Sequence, residues 1–372
     1  MVRDKGRSIL NDQKVISEQF IEENFPELWK YIETSEVTDV DFNCGNLWIS
    51  TVNAITYKAE DENITEQYMR QVARAISTHT GISFNAKNNR MFVSTEILRV
   101  TCIHESVSYG QISVCLRKEI AELRFTEQEA IQKGFCSQET YNLLRNCIQA
   151  HKNVNVCGIP HTGKTETVKK FSGYIPLHEK VITIEDVAEL HYSKIYPMHN
   201  CVELKTGEDG FRQCINDSLR MNPSWLIFGE AIGQNTAFLL ETWSNGVSTI
   251  STTHTNDTRD IADKVINSAD LKMDSERVIN QVYKNLGVAV LMKKKIIDGE
   301  KINRYIDQLT FYYRKNGKNG LAMVVKDGVL NPDKIPDFIR NEIEKEIGRD
   351  VFSAPLIEKG VEILNENKKK EE

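Results

Sequence analysis

The sequence predicts an α/β protein in two parts, an α+β first third followed by an α/β domain whose sheet is mostly parallel. Two observations carry this prediction. Between residues 37 and 118, short alternating apolar and polar runs with turn residues between them flank a helical segment. From residue 121 onward, apolar strands alternate with helices, and a glycine-rich loop follows the first of these strands.

The composition is that of an ordinary globular chain. Its 372 residues are 40% hydrophobic and 27% charged, which is enough apolar material for a sizeable core. The formal net charge of -6 argues against a surface built mainly to coat nucleic acid. The eight cysteines contain no C-x-x-C pair, so we expect small buried thiols in a reducing cytosol. The sequence has no signal-peptide pattern and no apolar stretch of bilayer length, which predicts a cytoplasmic protein without a transmembrane segment.

The first third is expected to begin with helices and then to form an antiparallel sheet of the meander type. Apolar residues recur at helical spacing over 18–33, with Pro26 as an interruption. A second helix is predicted over 64–80 and ends at Gly81. Turn chemistry is expected around Gly110. Alternating runs predict strands at 37–43, 46–52 and 54–59 and again within 90–118.

The second part is expected to alternate strands with helices and to end in a charged tail from about 312. That tail contains one amphipathic helix at 335–348. Two helical stretches lie within 126–152, before the strand that leads into the glycine-rich loop. Further strands are predicted at 180–186, 224–230 and 247–255, with helices at 210–223 and 234–246. The predicted domains are 1–120, a linker at 121–134, a second domain at 135–330 and a helical tail at 331–372.

The segment CGIPHTGKT, at 157–165, matches the pattern G-x-x-x-x-G-K-[ST] completely, after an apolar strand and before a helix. Backbone N–H groups of such a loop cradle phosphates together with the helix N-terminus. Lys164 would reach the β/γ-phosphates, and the Thr165 hydroxyl would bind Mg²⁺. The alternative is a chance Gly-Lys turn before an ordinary helix. The predicted ATP-binding loop comprises Gly158, Ile159, Pro160, His161, Thr162, Gly163, Lys164, Thr165 and Glu166.

Four further polar residues follow apolar strands. Glu185 and Asp186 end a strand that we expect beside the P-loop strand, where ligands bind in open α/β sheets, although such an Asp can also cap a helix. Glu230 ends WLIFGE, a pattern typical of a Walker B carboxylate that holds Mg²⁺ through water or activates the attacking water. The alternative is an ordinary strand end. His254 follows the next strand as either a γ-phosphate sensor or a structural histidine.

In this order the motifs resemble the secretion-motor ATPases of type II and type IV secretion systems. The similarity is closest to the branch that serves conjugation and the CpaF-like pilus machines. It runs from about residue 34 to about 310 and includes RVTCIHESVSYGQISVCLRK, LRMNPSWLIFGE, STISTTHTN and the segment from LLRNCIQAHK through VITIEDVAEL. The resemblance implies an N-terminal PAS-like domain joined to a RecA-like ATPase domain. It also implies a hexameric ring with ATP at the domain junction.

The resemblance assigns roles residue by residue. Arg99 and Arg117 match basic positions of the N-terminal domain that approach the nucleotide in that family, where an arginine offsets charge in the transition state. The alternative for each is a solvated charge at a strand end. The residues that match the family's Walker A, Asp box, Walker B and His box are Lys164, Thr165, Glu185, Asp186, Glu230 and His254. The implied Mg²⁺ ligands are Thr165, Asp186 and Glu230.

The sequence also departs from the family pattern. After Glu230 the family has a hydrophobic residue, Arg and Gly, whereas this chain has Ala231-Ile232-Gly233. Isoleucine lacks the five donors and the permanent charge of a guanidinium, which leaves the turnover rate open. The paired prolines of the N-terminal segment are Glu105-Ser106 here.

Two functions therefore compete. The first is an ATP-hydrolysing hexameric motor that powers secretion, conjugation or pilus assembly, and the second is a nucleotide-binding ring scaffold with little hydrolysis. A RecA-like DNA-processing enzyme fits the second domain but not the acidic balance, so no direct nucleic-acid binding is expected. The resemblance implies as partners further copies of the chain and inner-membrane components of the machine, with a coupling-protein ATPase as one candidate. The chain would then lie at the cytoplasmic face of a bacterial plasma membrane.

Overall fold

The chain divides into two compact units. The first contains the described residues before Ala121 and the short segment around 296–302, and the second contains the rest. Residues 121–134, predicted as a linker, belong to the second unit. The structure, a computed structural model, describes residues 16–52, 55–94, 98–119, 121–206, 210–229, 236–268, 274–297 and 301–355.

The first unit is an antiparallel sheet with helices on one face. The two N-terminal helices are separate because Pro26 can begin a helix but cannot donate a hydrogen bond inside one. The third helix ends at Gly81, whose φ of 74° is left-handed, as the sequence predicted. The elements are α1 Glu18–Asn24, α2 Pro26–Ile32, β1 Val37–Asn43, β2 Asn46–Thr51, β3 Thr56–Ala59, α3 Glu66–Thr80, β4 Arg90–Ser94, β5 Leu98–Ile103 and β6 Ser113–Lys118.

The sheet of this unit has six strands in the order β3-β2-β1-β6-β5-β4. Each half is a meander, as predicted, but β1 and β6 pair at the centre, so the sheet is not one continuous meander. Apolar side chains on one face of the sheet join those of the helices in one core, including Leu28 from α2, Phe42 from β1, Val72 from α3 and Val100 from β5. The alternation that predicted the strands therefore reflects a sheet with one buried face.

The second unit alternates helices and strands as predicted, although the sequence did not indicate β9 or the strands near the end. Its elements are α4 Glu127–Gln132, α5 Gln138–Gln149, β7 Val154–Cys157, α6 Lys164–Ser172, β8 Val181–Glu185, α7 Tyr192–Ile195, β9 Cys201–Lys205, α8 Gly210–Arg220, β10 Trp225–Phe228, α9 Thr236–Ser244, β11 Ser248–Thr253, α10 Ile261–Ser268, α11 Ser275–Asn285, β12 Val288–Ile297, β13 Lys301–Lys315, β14 Lys318–Lys326, β15 Val329–Leu330 and α12 Asp337–Ile347.

The sheet of the second unit has nine strands in the order β15-β14-β13-β12-β7-β11-β10-β8-β9. The run from β12 to β9 is parallel, which confirms the predicted mostly parallel sheet. One prediction was wrong: β8 does not lie beside β7, because β11 and β10 intervene. The helices that connect parallel strands allow chain neighbours to be separated in the sheet. The charged segment after residue 312 also forms antiparallel strands before α12, rather than only a helical tail.

The central strands are buried on both faces, since helices pack on each side. Asn155 is a polar exception within β7. Its Nδ2 donates to the hydroxyls of Ser251 and Thr253 on β11 at 2.9 and 2.8 Å, whereas its buried Oδ1 accepts no hydrogen bond from the described residues. Of the eight cysteines, all unpaired, Cys102, Cys147 and Cys157 are buried and Cys44 is exposed. In the described helices there is none with both the length and the apolar character that a membrane span requires.

Candidate nucleotide-binding site

Four parallel strands bring the predicted site residues to one edge of the second unit's sheet. The P-loop follows β7, His254 follows β11, Gly229 follows β10, and Glu185 ends β8. Because these strands are consecutive in the sheet, their carboxyl ends meet along one edge, which is where ligands bind in open α/β folds. β11 lies directly beside β7, whereas β11 and β10 separate β8 from it, so the histidine is nearer the P-loop than Glu185 is.

The backbone of the P-loop turns tightly between β7 and α6. Gly158 has φ 150°, and a Cβ there would lie 2.5 Å from the Met292 carbonyl oxygen, so only glycine fits. His161 (φ 64°) and Gly163 (φ 90°) adopt left-handed conformations. Ile159, Pro160 and His161 are exposed on the outer surface of the loop, whereas Thr162 is buried.

The P-loop leads directly into the N-terminus of α6. Gly163 precedes the helix, and no described side chain caps it. The first N–H groups of a helix lack partners within the helix and favour an anion. Thr162 donates to the Ile159 carbonyl at 2.8 Å, and Thr167 donates to the Gly163 carbonyl at 2.9 Å. These bonds fix the turn of the loop in front of a helix end that favours an anion, which suits the phosphates of a nucleotide.

Lys164 folds back over the loop. Its Nζ donates to the carbonyl oxygens of Gly158 at 3.0 Å and Ile159 at 3.1 Å. The same Nζ lies 3.3 Å from Nδ1 of His254. The Lys264 side chain donates to the backbone carbonyl of His254 and thereby anchors the loop after β11. The structure therefore brings the P-loop lysine and the histidine together, with a second lysine beside them.

Glu185 is only 9% exposed at the end of β8. Burial raises the pKa of its carboxyl group to about 7, although its oxygens accept hydrogen bonds from the N–H groups of Leu190 and Glu189. Gly229 lies beside it, since a Cβ on Gly229 would be 3.6 Å from Glu185 Cγ. A carboxyl group with a pKa near neutrality can exchange a proton during a reaction.

The two predicted magnesium ligands that the structure describes, Thr165 and Asp186, bond different partners. The Thr165 hydroxyl donates to Glu189 Oε2 at 3.3 Å, whereas Asp186 accepts a hydrogen bond from Thr206. Among the described residues no three His, Cys, Asp or Glu side chains form a ready metal site. Mg²⁺ at phosphate sites usually takes one or two protein ligands, and phosphates and water supply the rest. The hydroxyl and carboxylate oxygens of Thr165 and Glu189 fit that requirement.

Glu230 and the segment Ala231-Ile232-Gly233 lie outside the described residues. The residue before them is well fixed. The Gly229 N–H donates to the Ile184 carbonyl at 3.4 Å, and the Thr252 hydroxyl donates to the Gly229 carbonyl. Gly229 is thus held to both neighbouring strands at the site edge.

Glu166, the last residue of the predicted loop, lies between two cations. Arg124 Nε is 3.5 Å and Lys169 Nζ is 3.4 Å from its Oε1. These cations offset a carboxylate that would otherwise oppose phosphate at the helix N-terminus.

Arg99 and Arg117 belong to the first unit, where they are direct cross-strand partners on β5 and β6. Arg99 Nε is 3.2 Å from Glu119 Oε1, and Arg117 Nε is 3.8 Å from Asp39 Oδ1. Each positive charge therefore has a carboxylate beside it within its own unit. Their role toward a nucleotide stays a prediction.

Sequence reasoning missed two side chains at the P-loop. Glu189 lies four residues after Glu185 within VITIEDVAEL. This short distance from the strand end was the sequence signal that could have identified it. Arg304 donates Nε–H to the His161 carbonyl at 3.2 Å from strand β13. Nothing in the sequence pattern indicates that contact.

A family model described as "Type II/IV secretion system protein" matches residues 90–286. An uncharacterised protein of Bacillus anthracis is 24% identical over 283 residues, covering 74% of this chain and 64% of that protein. Protein VirB11 of Agrobacterium tumefaciens is 31% identical over 136 residues, and type IV secretion system protein PtlH of Bordetella pertussis is 33% identical over 122. These two alignments cover 34% and 30% of this chain and 38% and 35% of the relatives.

Solved structures share the fold. The pilus retraction motor PilT with bound ADP matches with a TM-score of 0.56 at 16% identity, covering 88% of this chain and 90% of that one. The ATPase DotB of Yersinia pseudotuberculosis matches with a TM-score of 0.57 at 12% identity, covering 83% of each chain. Since the family model spans more than half of the sequence, the chain belongs to the type II/IV secretion system protein family.

Proposed function

We propose that the chain is an ATPase that drives a type IV secretion, conjugation or pilus-assembly machine. One observation carries the proposal: Lys164 Nζ and His254 Nδ1 lie 3.3 Å apart over a P-loop that opens onto the N-terminus of α6. A cation and an imidazole at that position suit the terminal phosphates of a nucleotide. Family membership and the fold shared with PilT and DotB support the same function.

In this proposal the N–H groups of residues 158–166 and the Lys164 ammonium bind the phosphates. Thr165 and Glu189 would hold Mg²⁺, with Asp186 and Glu230 as further proposed ligands, and the ion would neutralise charge on the phosphates. Glu230 would orient and deprotonate the attacking water, and Glu185 would accept or return the proton. His254 would contact the terminal phosphate and act as the sensor of its presence.

The larger assembly is also part of the proposal. Copies of the chain would form a hexameric ring and place Arg99 and Arg117 against the nucleotide, where their charge would stabilise the transition state. The ring would dock on inner-membrane components at the cytoplasmic face of a bacterial membrane. The transported object would be DNA with its relaxase, a protein or pilin.

A second function is favoured by one feature of the sequence. Ile232 stands where the family has arginine after the Walker B carboxylate. Loss of a permanent charge at that point would slow hydrolysis more than binding. The second candidate is therefore a ring scaffold that binds ATP but hydrolyses little.

Phosphate release by purified full-length protein tests the proposal, with Lys164→Ala and Glu230→Gln as variants. The motor predicts that turnover rises with protein concentration as rings form, and that Glu230→Gln loses roughly a hundredfold or more in kcat while still binding ATP. Lys164→Ala should lose ATP binding, because the loop no longer carries its phosphate cation.

The scaffold predicts a different result. Wild type and Glu230→Gln would then have the same low turnover even with membranes and excess Mg²⁺, although both bind ATP. In that case Ile232→Arg is the informative variant, because a gain in turnover would identify the missing guanidinium as the cause. Wild-type protein that binds no ATP would exclude both candidates.

A further inference from the structure

One side chain contacts the outer surface of the P-loop from a distant strand. Arg304, near the start of β13, donates Nε–H to the His161 carbonyl at 3.2 Å. Its aliphatic stem packs against Gly163, since a Cβ on that glycine would lie 3.0 Å from Arg304 Cδ. Arg304 lies beyond residues 90–286, the part of the chain that matches the family model.

The two residues that Arg304 contacts give the loop its left-handed backbone. His161 has φ 64° and Gly163 has φ 90°. A left-handed conformation is unfavourable for a residue with a Cβ, so His161 needs support from outside the loop. The hydrogen bond from Arg304 fixes the plane of the peptide between His161 and Thr162. In a trans peptide the C=O and N–H groups point in opposite directions, so the Thr162 N–H is directed away from Arg304.

The positive charge of Arg304 is a second reason to assign it a role at the P-loop. Arg304 is part-buried, and burial, followed by the nearby positive charge of Arg124, lowers the pKa of its guanidinium. Arg124 Nε is itself 3.5 Å from the Glu166 carboxylate at the start of α6. The Glu166 carboxylate offsets part of the repulsion between the two guanidinium groups, and a polyanion bound next to them would offset more of it.

We propose that Arg304 is a positioning residue for the nucleotide, holding the His161–Thr162 peptide in its phosphate-binding orientation and adding positive charge behind the P-loop. The inference rests on the proposed nucleotide-binding function of that loop. Arg304 belongs to the second unit, as the P-loop does, so the contact lies within one unit.

Three variants of the full-length protein test the inference. Arg304→Ala removes the donor and the charge, whereas Arg304→Lys keeps the charge on a differently placed atom. Arg314→Ala is the matched control, because Arg314 lies on the same strand and bonds Asn280 and Asn319 at 2.6 Å instead of the P-loop. The measurements are affinity for MgADP, KM and kcat for ATP, and hydrogen exchange of the amides of 158–166 without nucleotide.

We expect Arg304→Ala to weaken MgADP binding by about tenfold, the loss of one hydrogen bond from a charged donor. KM should rise with little change in kcat, and the loop amides should exchange faster, while Arg314→Ala matches wild type. Arg304→Lys should recover part of the affinity and remains informative if the alanine variant does not fold.

Wild-type affinity and unchanged loop exchange in Arg304→Ala would overturn the inference. If wild type itself binds no MgADP, the proposed function fails. The exchange measurement then still decides whether Arg304 holds the loop.

Discussion

Glu185 is a residue whose surroundings, more than its sequence position, determine its chemistry. Its carboxyl group accepts hydrogen bonds from Leu190 and Glu189 N–H groups, which favour the charged form. Burial acts against ionisation and is the larger effect, so its pKa rises to about 7 from the ordinary 4.5. The sequence located this carboxylate at a strand end, but only packing reveals its protonation.

The raised pKa predicts how stability depends on pH. Between the ordinary value of 4.5 and about 7, the folded chain holds a proton that the unfolded chain has released. The contribution of Glu185 to stability is therefore fully present below the lower value and is lost as pH rises through the upper one. As pH rises from 4.5 to about 7, the free energy of unfolding of Glu185→Gln should increase by about 3 kcal/mol relative to that of wild type.

Thermal midpoints of wild type and Glu185→Gln, measured near pH 5 and near pH 8 with EDTA and without nucleotide, check this prediction. The thermal midpoint of Glu185→Gln, relative to that of wild type, should increase as pH rises. Glu139→Gln, at an exposed position of α5, is the control. A difference between Glu185→Gln and wild type that does not change with pH would contradict the assignment.

Gly158 allows a second prediction at this scale. A Cβ at Gly158 would lie 2.5 Å from the Met292 carbonyl and 2.7 Å from Thr162 Oγ1, and the backbone there cannot shift without opening the P-loop. Gly158→Ala should therefore cost roughly 2–3 kcal/mol of stability and most of the ATP affinity. Gly45→Ala is the matched control.

Gly45 also has a positive φ, of 73°, but nothing lies within 4 Å of its added Cβ. Its replacement should cost roughly 1 kcal/mol of backbone strain and leave ATP binding intact. Urea unfolding and ATP titration of the two variants separate the effect of steric overlap, at Gly158, from the effect of backbone strain alone, at Gly45. Equal effects would show that the contact with Met292 does not constrain the loop.

At the scale of elements, tyrosine hydroxyls hold the carboxyl end of α6: Tyr192 donates to the Ser172 carbonyl at 3.2 Å, and Tyr196 binds the residues before it. The Tyr196 hydroxyl donates to the Lys169 and Lys170 carbonyls at 2.8 and 3.3 Å, which satisfies groups left unpaired at the helix end. Its ring occupies the space that a side chain on Gly173 would need, since a Cβ there would lie 2.4 Å from the ring. The P-loop helix is thus fixed at the end opposite to the phosphate site.

Gly173 has an ordinary helical φ of -66°, so the effect of Gly173→Ala tests packing and not backbone strain. We expect a loss of roughly 1–3 kcal/mol in wild type, because the ring must move and its hydrogen bonds break. In a Tyr196→Leu background the same substitution should cost less. A double-mutant cycle from urea unfolding measures this coupling, and additive costs would contradict the contact.

The elements that sequence could predict are those with one strong periodic pattern. The strand, loop and helix of 154–172 could be predicted because an apolar run, the P-loop motif and the start of a helix occur there in succession. β13 was missed because polar side chains are buried within it. Gln308 accepts from the Thr258 N–H at 3.0 Å, and Asp307 lies 2.8 Å from Lys293 Nζ. Hydrogen-bond and charge partners from other elements offset the cost of burying these polar groups, and no local sequence pattern indicates those partners.

At the scale of the whole molecule, the two units have separate hydrophobic cores. The core of the first unit centres on Phe42, Met69 and Val100. The second unit has one core on each face of its sheet, which include Val156 and Ile227 on one side and Ile182 and Phe228 on the other. The described P-loop residues all belong to the second unit. Ligand binding should therefore affect the stability of the units differently.

Hydrogen exchange on heating, with and without MgADP, measures the two units separately. At a ligand concentration a hundredfold above Kd, the second unit should gain about 2.7 kcal/mol. Lys164→Ala should abolish that gain, which makes it the control. Protection of the first unit by the same ligand would indicate that Arg99 and Arg117 also bind the nucleotide, and Arg99→Ala or Arg117→Ala should then remove it. A first unit that does not respond would limit the site to the second unit and contradict the role that the family resemblance assigns to those arginines.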